Sequence, residues 1–548
     1  MRQLLENPFY YLDNFQQVLA WVGQHHGDLL DDEERAFIDR FGQLPQASRA
    51  LLVRMVMRKG ELFRASKLSY AEIGCPRAAV SPLVALGWVN DDPLLDLTQL
   101  FGLLKKDELI QALKVPAASW TRKAELLETM RDQHDSRQPL SHWHAALDDE
   151  IFELRINPLC ERLRLMFFGN IHQDWSEFVL ADLGIYRYEP VPFAPSSRAF
   201  ASRQDVDAYL RLHRCRERFE AGDVLDELLT EIPTSPYSNQ WLENRRGKLL
   251  LSIARQYERR GDLQQALQLY TDIRYPGARQ RRIRVLELND QIEAALQLAL
   301  QAIEAPESEA ETQQVERMLP RLRRSLGEKQ TRRSPEAEVE RIDLCLPQPI
   351  MDINVEHVVL EHLTTEDAPV FYVENTLINS LLGLLCWETI FAPLPGAFFH
   401  PFHAAPADLA RADFYARRAE CFEACLQSLM DGSYGERIRR RYREKFGTQC
   451  QFVSWGLLDE ALLEFALNCL PARHLEVCFR RILLDVPNHR TGLPDLIQFW
   501  PGERRYRMIE VKGPGDRLQD NQKRWLAYAR HHQMPVAVCY VRWAEALQ

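Results

Sequence analysis

The sequence predicts mostly α-helical N-terminal and middle regions followed by a C-terminal α/β domain. Three observations carry that reading. The first 345 residues read as amphipathic helices, with apolar positions recurring at helical spacing. Between 245 and 304 helix pairs joined by tight turns follow one another. Only beyond 490 do two short apolar runs flank a turn at Pro501-Gly502, and PVAVCYV (535–541) supplies a closing strand.

At 548 residues the chain is too long for one core. We read 1–95 as an N-terminal helical region, 96–235 as a small helical module with connecting helices, 236–345 as helical repeats and 346–548 as the α/β domain. A content of 46% hydrophobic and 27% charged residues suits an ordinary globular protein. The start, MRQLLENPFYYLDNFQQ, has acids among its apolar positions, which excludes a signal peptide. The uncharged run Thr389–Ala407 carries Pro393, Pro395, Pro401 and Pro406, so it is no membrane-spanning helix. The 11 cysteines are scattered without a CxxC pair or His-Cys cluster, which predicts reduced thiols in a cytoplasm and no structural zinc. Only 11 of the 68 basic residues are lysine, an arginine bias that fits a GC-rich bacterial genome.

A net charge of −10 argues against a protein that coats nucleic acid everywhere. Local binding stays open, because basic residues cluster at 211–218, 279–284, 321–333 and 437–445. The alternative is that these arginines pair with neighbouring glutamates.

Taken in order, the first region ends in RAAVSPLVALGWVNDDPLLDL, where a helix, an "LGWV" strand and a turn suit a small winged-helix-like unit. LTQLFGLLKKDELIQALK (97–114) and VPAASWTRKAELLETM (115–130) read as two short amphipathic helices with Lys105, Lys106, Arg122 and Lys123 around them. The pair resembles a SAP-type DNA-binding module; an ordinary helical pair is the alternative. DDEIFELRINPLCERLRLMFFGN reads as helix, and EPVPFAPSSRAFASR as a connector. Ala254, Tyr257, Gly261, Ala266 and Tyr270 follow the small-aromatic-Gly-small rhythm of a tetratricopeptide-like repeat, and a second helix pair follows. EAPESEAETQQVE and GEKQTRRSPEAE read as loops. Glu374–Phe391 is apolar nearly all round, as for a helix inside a core. Strands at 493–500 and 506–513 then precede a helix beginning at Asp516, with Gln519 three residues on, and the last strand.

The chemistry lies in that hairpin, "GLPDLIQFWPGERRYRMIEVK". Side chains alternate along a strand, so Glu510 and Lys512 share a face, and the turn can fold Asp495 beside them. Two carboxylates and a lysine in an apolar sheet are stable when a divalent cation neutralises them, and oxygen ligands suit Mg²⁺ or Mn²⁺. The plain alternative is a Glu-Lys pair on a solvated face.

Pro494-Asp495, with Glu510-Val511-Lys512 starting fifteen positions after Asp495, is the pattern of PD-(D/E)xK nucleases. The longer string GLPDL…EVKGPGDRLQDNQKRWL resembles the VRR-type nuclease domain of the Fanconi-associated nuclease family. Glu374 stands 13 residues ahead of Trp387 in GLLCW, as that family's upstream metal ligand does. The resemblance is close from 370 to 543, loose from 97 to 345 and unreadable before 95. It implies a metal-dependent, structure-selective nuclease of branched or flapped duplex DNA: 5′-flap incision, 5′-to-3′ exonuclease cleavage and interstrand-crosslink repair at a bacterial nucleoid. By it, Asp495, Glu510, Glu374 and the Val511 carbonyl hold two metal ions, and Lys512 acts on the water or transition state. Glu388 is the rival upstream ligand, and Arg490 and Lys523 touch phosphates near the cut. No Cys/His pattern for the eukaryotic ubiquitin-binding zinc finger is present, so recruitment by a ubiquitinated partner is not expected. The other readings are a non-catalytic repeat scaffold with a decayed nuclease fold, and a Holliday-junction resolvase or restriction-type endonuclease.

Overall fold

The computed structural model describes residues 7–115, 122–134, 136–194, 197–328, 339–349 and 353–544. The chain forms two compact units, residues 1–186 with 198–206, and 187–197 with 207–548.

In the first unit, helices Tyr10–His26, Asp32–Gln43, Gln46–Val56 and Pro76–Ala85 accompany a small antiparallel sheet. Its strands are β1 (Leu62–Arg64), β2 (Val89–Asn90) and β3 (Ile151–Leu154), in the order β1-β3-β2. The IFEL segment, expected to be helical, is thus the central strand. Its apolar residues are buried and its backbone pairs on both sides, a gain that outweighs local helix preference. The helix expected over 97–114 is two helices, Leu97–Leu103 and Lys106–Leu113. Leu104 and Lys105 leave the helical conformation between them, and the Glu108 carboxylate caps the Lys105 N–H at 2.6 Å. A third helix, Lys123–Met130, packs with them around Leu100, Leu109 and Leu126; residues 116–121 of the expected second helix lie outside the described ones.

The second unit takes up the Arg203–Ala221 helix from Asp207 and continues as a run of helices: Gln240–Arg260, Leu263–Asp272, Ala278–Leu288, Ile292–Glu304 and Glu309–Ser325. Gly261, at φ 83°, turns the first of these into the next, a conformation that glycine adopts without strain. Small buried residues, Ala254 and Ala266, let those two helices approach closely. The acidic EAPESEAETQQVE stretch is mostly helix, not loop. Ser308 caps its N-terminus, and acids in a first turn face the positive end of the helix dipole. Most of the polar segment GEKQTRRSPEAE lies outside the described residues.

The C-terminal domain is a five-stranded mixed sheet in the order β4-β8-β7-β6-β5. Its strands are β4 (Glu340–Leu346), β5 (Val370–Tyr372), β6 (Leu496–Trp500), β7 (Arg505–Lys512) and β8 (Val536–Trp543). β4, β8 and β7 run parallel, whereas β7-β6 and β6-β5 are antiparallel. The sequence reading named the three central strands and missed the two edges. One sheet face packs on the Val355–Leu363 helix through Leu496, Ile509, Val511 and Cys539. The other meets a large helical core through Ile497, Phe499, Met508 and Val538. Within that core every residue of the Leu377–Leu385 helix is buried. The final helix starts at Asp520, capped by Gln519, and not at Asp516. Asp516 instead accepts the Gly513 N–H at 3.0 Å and closes a turn in which Gly515 has φ 88°.

The Glu309–Ser325 helix is pinned to this domain by ions. Arg317 pairs with Asp520 at 2.6 Å, and Glu309 with the buried Arg481 at 2.5 Å. The His489 ring, with Arg481 beside it, holds the Glu309 carboxyl down to about 2. A carboxylate whose pKa is lowered on folding stabilises the fold above its ordinary pKa, and loses that contribution as pH falls. Glu309→Gln is therefore expected to lower unfolding stability at pH 7 by about 1 kcal/mol. Urea titrations from pH 7 to 2 should show that gap close between about 4.5 and about 2.

Candidate active site

Asp495 lies one residue ahead of β6. Leu496 pairs with Ile509, so continuing the register by one sets Asp495 opposite Glu510. The Val373 N–H donates to the Asp495 carbonyl at 2.8 Å, which extends the β5-β6 ladder through this position. Gly492, three residues earlier, has φ 89°, and a Cβ there would meet the Asn521 backbone at 2.8 Å. Only glycine fits, which explains the first letter of GLPDL. The Asp495 carboxylate accepts the Val511 N–H at 2.8 Å. Lys512 donates from Nζ to Glu510 Oε1 at 2.6 Å and to the Val511 carbonyl at 2.8 Å.

Burial decides against a solvated Glu-Lys pair. Glu510 is 0% exposed, Asp495 5% and Lys512 8%. Burial, with the Asp495 charge opposite, pushes the Glu510 carboxyl up to about 8, and burial raises Asp495 to about 6. Glu510 Oε2 is buried and has no hydrogen-bond partner in the protein. Two facing carboxylates, one orphaned oxygen and a backbone carbonyl form an all-oxygen donor set held by the sheet. Lys512 places its ammonium against two of those oxygens. The residues fit a hard divalent cation.

Glu374 lies in the turn after β5, exposed, ahead of the Leu377–Leu385 helix rather than in it. The Tyr372 hydroxyl donates to it at 2.6 Å and the Asn375 amide at 3.2 Å. Its charge reaches both Asp495 and Glu510. Glu388, the rival, pairs with Arg441 and is not among the main charges acting on either carboxyl. Glu356, in the first turn of the Val355–Leu363 helix, also raises Asp495 and was missed from sequence. A lone acid at a helix start carries no signal there. Among the described residues no group of three or more His, Cys, Asp or Glu side chains is closed into a ready cation site. Asp495 and Glu510 face each other, while Glu374 is turned to Tyr372 and Asn375.

The expected DNA contacts separate. Arg490 donates to the Gln451 carbonyl at 2.8 Å and is half-buried. Lys523 is exposed on the last helix. In the first unit Lys105 and Lys106 open one short helix, Arg122 and Lys123 the next, and Lys123 donates to the Leu104 carbonyl at 2.8 Å. The arginine clusters are largely spent within the chain. Arg279 pairs with Glu311, Arg281 with Glu258 and Arg284 with Glu287. Arg216 and Arg218 pair with Glu220 and Asp223, and Arg439 and Lys445 with Glu464 and Glu189. Pairing with neighbouring acids describes these three clusters.

Comparison with known proteins fits this geometry. The domain family "FAN1, HTH domain" matches residues 9–90, the "Fanconi anemia-associated nuclease SAP domain" 94–143 and the "VRR-NUC domain" 430–543. A Pseudomonas aeruginosa "Fanconi-associated nuclease 1 homolog" is 59% identical over 98% of this chain and 97% of that protein. The chain belongs to the Fanconi-associated nuclease family. It is a DNA nuclease, a hydrolase of phosphodiester bonds, and the VRR-NUC family implies dependence on a divalent metal. The human Fanconi-associated nuclease 1 is 33% identical over 31% of this chain and 17% of that protein. A crystal structure described as paFAN1 bound to 2nt 5′flap DNA with gap superposes with a TM-score of 0.96, at 58% identity, over 99% of this chain and all of that one. The likeness to Fanconi-associated nucleases thus includes the first 95 residues, where the sequence shows no readable motif. Glu374 lies ahead of the VRR-NUC match. Among the described residues no helix is long and apolar enough to cross a membrane.

Proposed function

We propose that the chain incises 5′ flaps on branched duplex DNA, degrades DNA from 5′ to 3′, and serves interstrand-crosslink repair at a bacterial nucleoid. The observation that carries this reading is Asp495 facing Glu510 across two buried strands, with Lys512 on the same face. It is supported by the 5′-flap DNA bound in the similar crystal structures.

Asp495, Glu510, Glu374 and the Val511 carbonyl hold Mg²⁺ or Mn²⁺, two ions at full occupancy. Bound there, the metal supplies Lewis acidity to the phosphate and an acidified water. Tyr372, donating to Glu374, holds that carboxylate aside until the metal draws it in. Lys512 sets its ammonium on the reacting face and meets the charge that builds on the phosphate oxygens. Arg490 and Lys523 hold phosphates beside the cut. Lys105, Lys106, Arg122 and Lys123 grip duplex backbone, a contact without sequence preference. The helices of 236–345 act as a tetratricopeptide-like stack.

The test is cleavage in Mg²⁺ of three labelled duplexes: a 5′ flap, a 3′ flap and an unbranched control. Cleavage near the 5′-flap junction, well ahead of the other two, is expected. Equal cutting of all three would leave a nuclease without this selectivity.

A further inference from the structure

The ladder that joins β5 to β6 ends at the candidate metal ligands, and a side chain carries it one step further. The Phe499 N–H donates to the Pro369 carbonyl at 3.0 Å, and the Val373 N–H to the Asp495 carbonyl at 2.8 Å. In an antiparallel pair such bonds recur at every second residue, so the next position joins 375 to 493. There the backbone turns away. The Thr376 N–H donates to the Val373 carbonyl at 2.9 Å, and Asn375 takes φ 52°. The Leu493 N–H donates instead to the side chain of Asn375, at 3.1 Å from Oδ1. Nδ2 of the same amide donates to Glu374 Oε1 at 3.2 Å.

A second amide ties the same two segments. Asn379, 2% exposed, donates from Nδ2 to the Asn375 carbonyl at 2.7 Å and to the Arg490 carbonyl at 2.8 Å. The turn that carries Glu374 and the loop that carries Asp495 are far apart in sequence, and these two side chains bind one to the other.

We propose that Asn375 is a positioning residue of the metal site: its amide holds the Glu374 turn against the Asp495 loop and thereby sets the affinity for the divalent ion. Asparagine meets both demands of the position. It tolerates a left-handed backbone better than most residues with a side chain, and its amide offers an acceptor and a donor at once. Glycine meets only the first demand and alanine neither. Aspartate would turn a second negative charge on Glu374. Hydrogen-bond partners that orient metal ligands contribute about 10–100-fold to metal affinity or activity. The assignment rests on Glu374 and Asp495 as ligands and adds to that reading what holds the two together.

The test measures Mn²⁺ binding to the intact protein without DNA, from the electron paramagnetic resonance signal of the free ion. Asn375→Gly and Asn375→Ala are each expected to weaken Mn²⁺ affinity about tenfold. Glycine takes φ 52° without strain and should keep the fold, whereas alanine should also melt at a lower temperature. The Mg²⁺ concentration for half-maximal single-turnover cleavage should rise in the same proportion for both. If Asn375 served the backbone alone, the glycine variant would bind Mn²⁺ like the wild type and only the alanine variant would weaken. That result overturns the assignment, as does unchanged affinity in both. Glu374→Gln and Asp495→Asn, titrated alongside, separate the two readings. Wild-type affinity in these two defeats the ligand set itself. Their loss of affinity, with Asn375→Gly unaffected, defeats only the role of Asn375.

Discussion

Lys512→Ala is expected to lose cleavage of a 5′ flap by about two to three orders of magnitude while keeping most of its DNA affinity. Its ammonium lies 2.6 Å from Glu510 and 2.8 Å from the Val511 carbonyl, on the edge of the carboxylate pair. A donor that acts where charge develops contributes to the transition state far more than to the ground state, and losing one costs about 10²–10³ in turnover. Arginine is expected to restore little, since a planar fork does not replace a compact ammonium in a site 8% exposed. Single-turnover cleavage in Mg²⁺, alongside binding in Ca²⁺, gives the split. Near-normal cleavage by the alanine variant would remove Lys512 from the chemistry.

The second large effect is thermal. Asp495 and Glu510 face each other inside the sheet, and the orphaned Glu510 Oε2 has no protein donor. Burying paired like charges costs stability unless a cation joins them. Added Mg²⁺ or Mn²⁺ should therefore stabilise the wild type, by about 2.7 kcal/mol at a hundredfold excess over the dissociation constant. Asp495→Asn keeps the acceptor for the Val511 N–H and removes one charge. It should match or exceed the metal-free wild type in Tm, gain almost nothing from metal, and be inactive. Calorimetry with and without metal reads all of this. A variant that unfolds early and still responds to metal would mean that Asp495 is a structural residue.

The site was more legible than the architecture around it, for physical reasons. Asp495, Glu510 and Lys512 sit on strands, where the two-residue period fixes which side chains share a face. Glu374 was found only by its distance from Trp387, and its placement in a turn, set by Asn375 at φ 52°, carries no periodic signal. Glu356 was invisible because an acid in a first helical turn is ordinary. β4 and β5 escaped notice as edge strands; β5 has only 3 residues, and β4 alternates charged and apolar positions as ERIDLCL. IFEL was read as helix because its neighbours are helical, while its strand pairing comes from residues 62 and 89, far away in sequence. The arginine clusters illustrate the converse: composition shows charge and is silent on partners, and Glu258, Glu287 and Glu311 take up most of one cluster.

The central claim is that the buried oxygens of this sheet hold the divalent metal beside Lys512. Crystals grown with Mn²⁺ and measured for anomalous scattering address it directly. The account predicts a peak among the Asp495 and Glu510 carboxylates and the Val511 carbonyl, with Glu374 turned from Tyr372 toward it and Glu388 still paired with Arg441. Strong Mn²⁺ peaks elsewhere, with Lys512 still against Glu510, would contradict it.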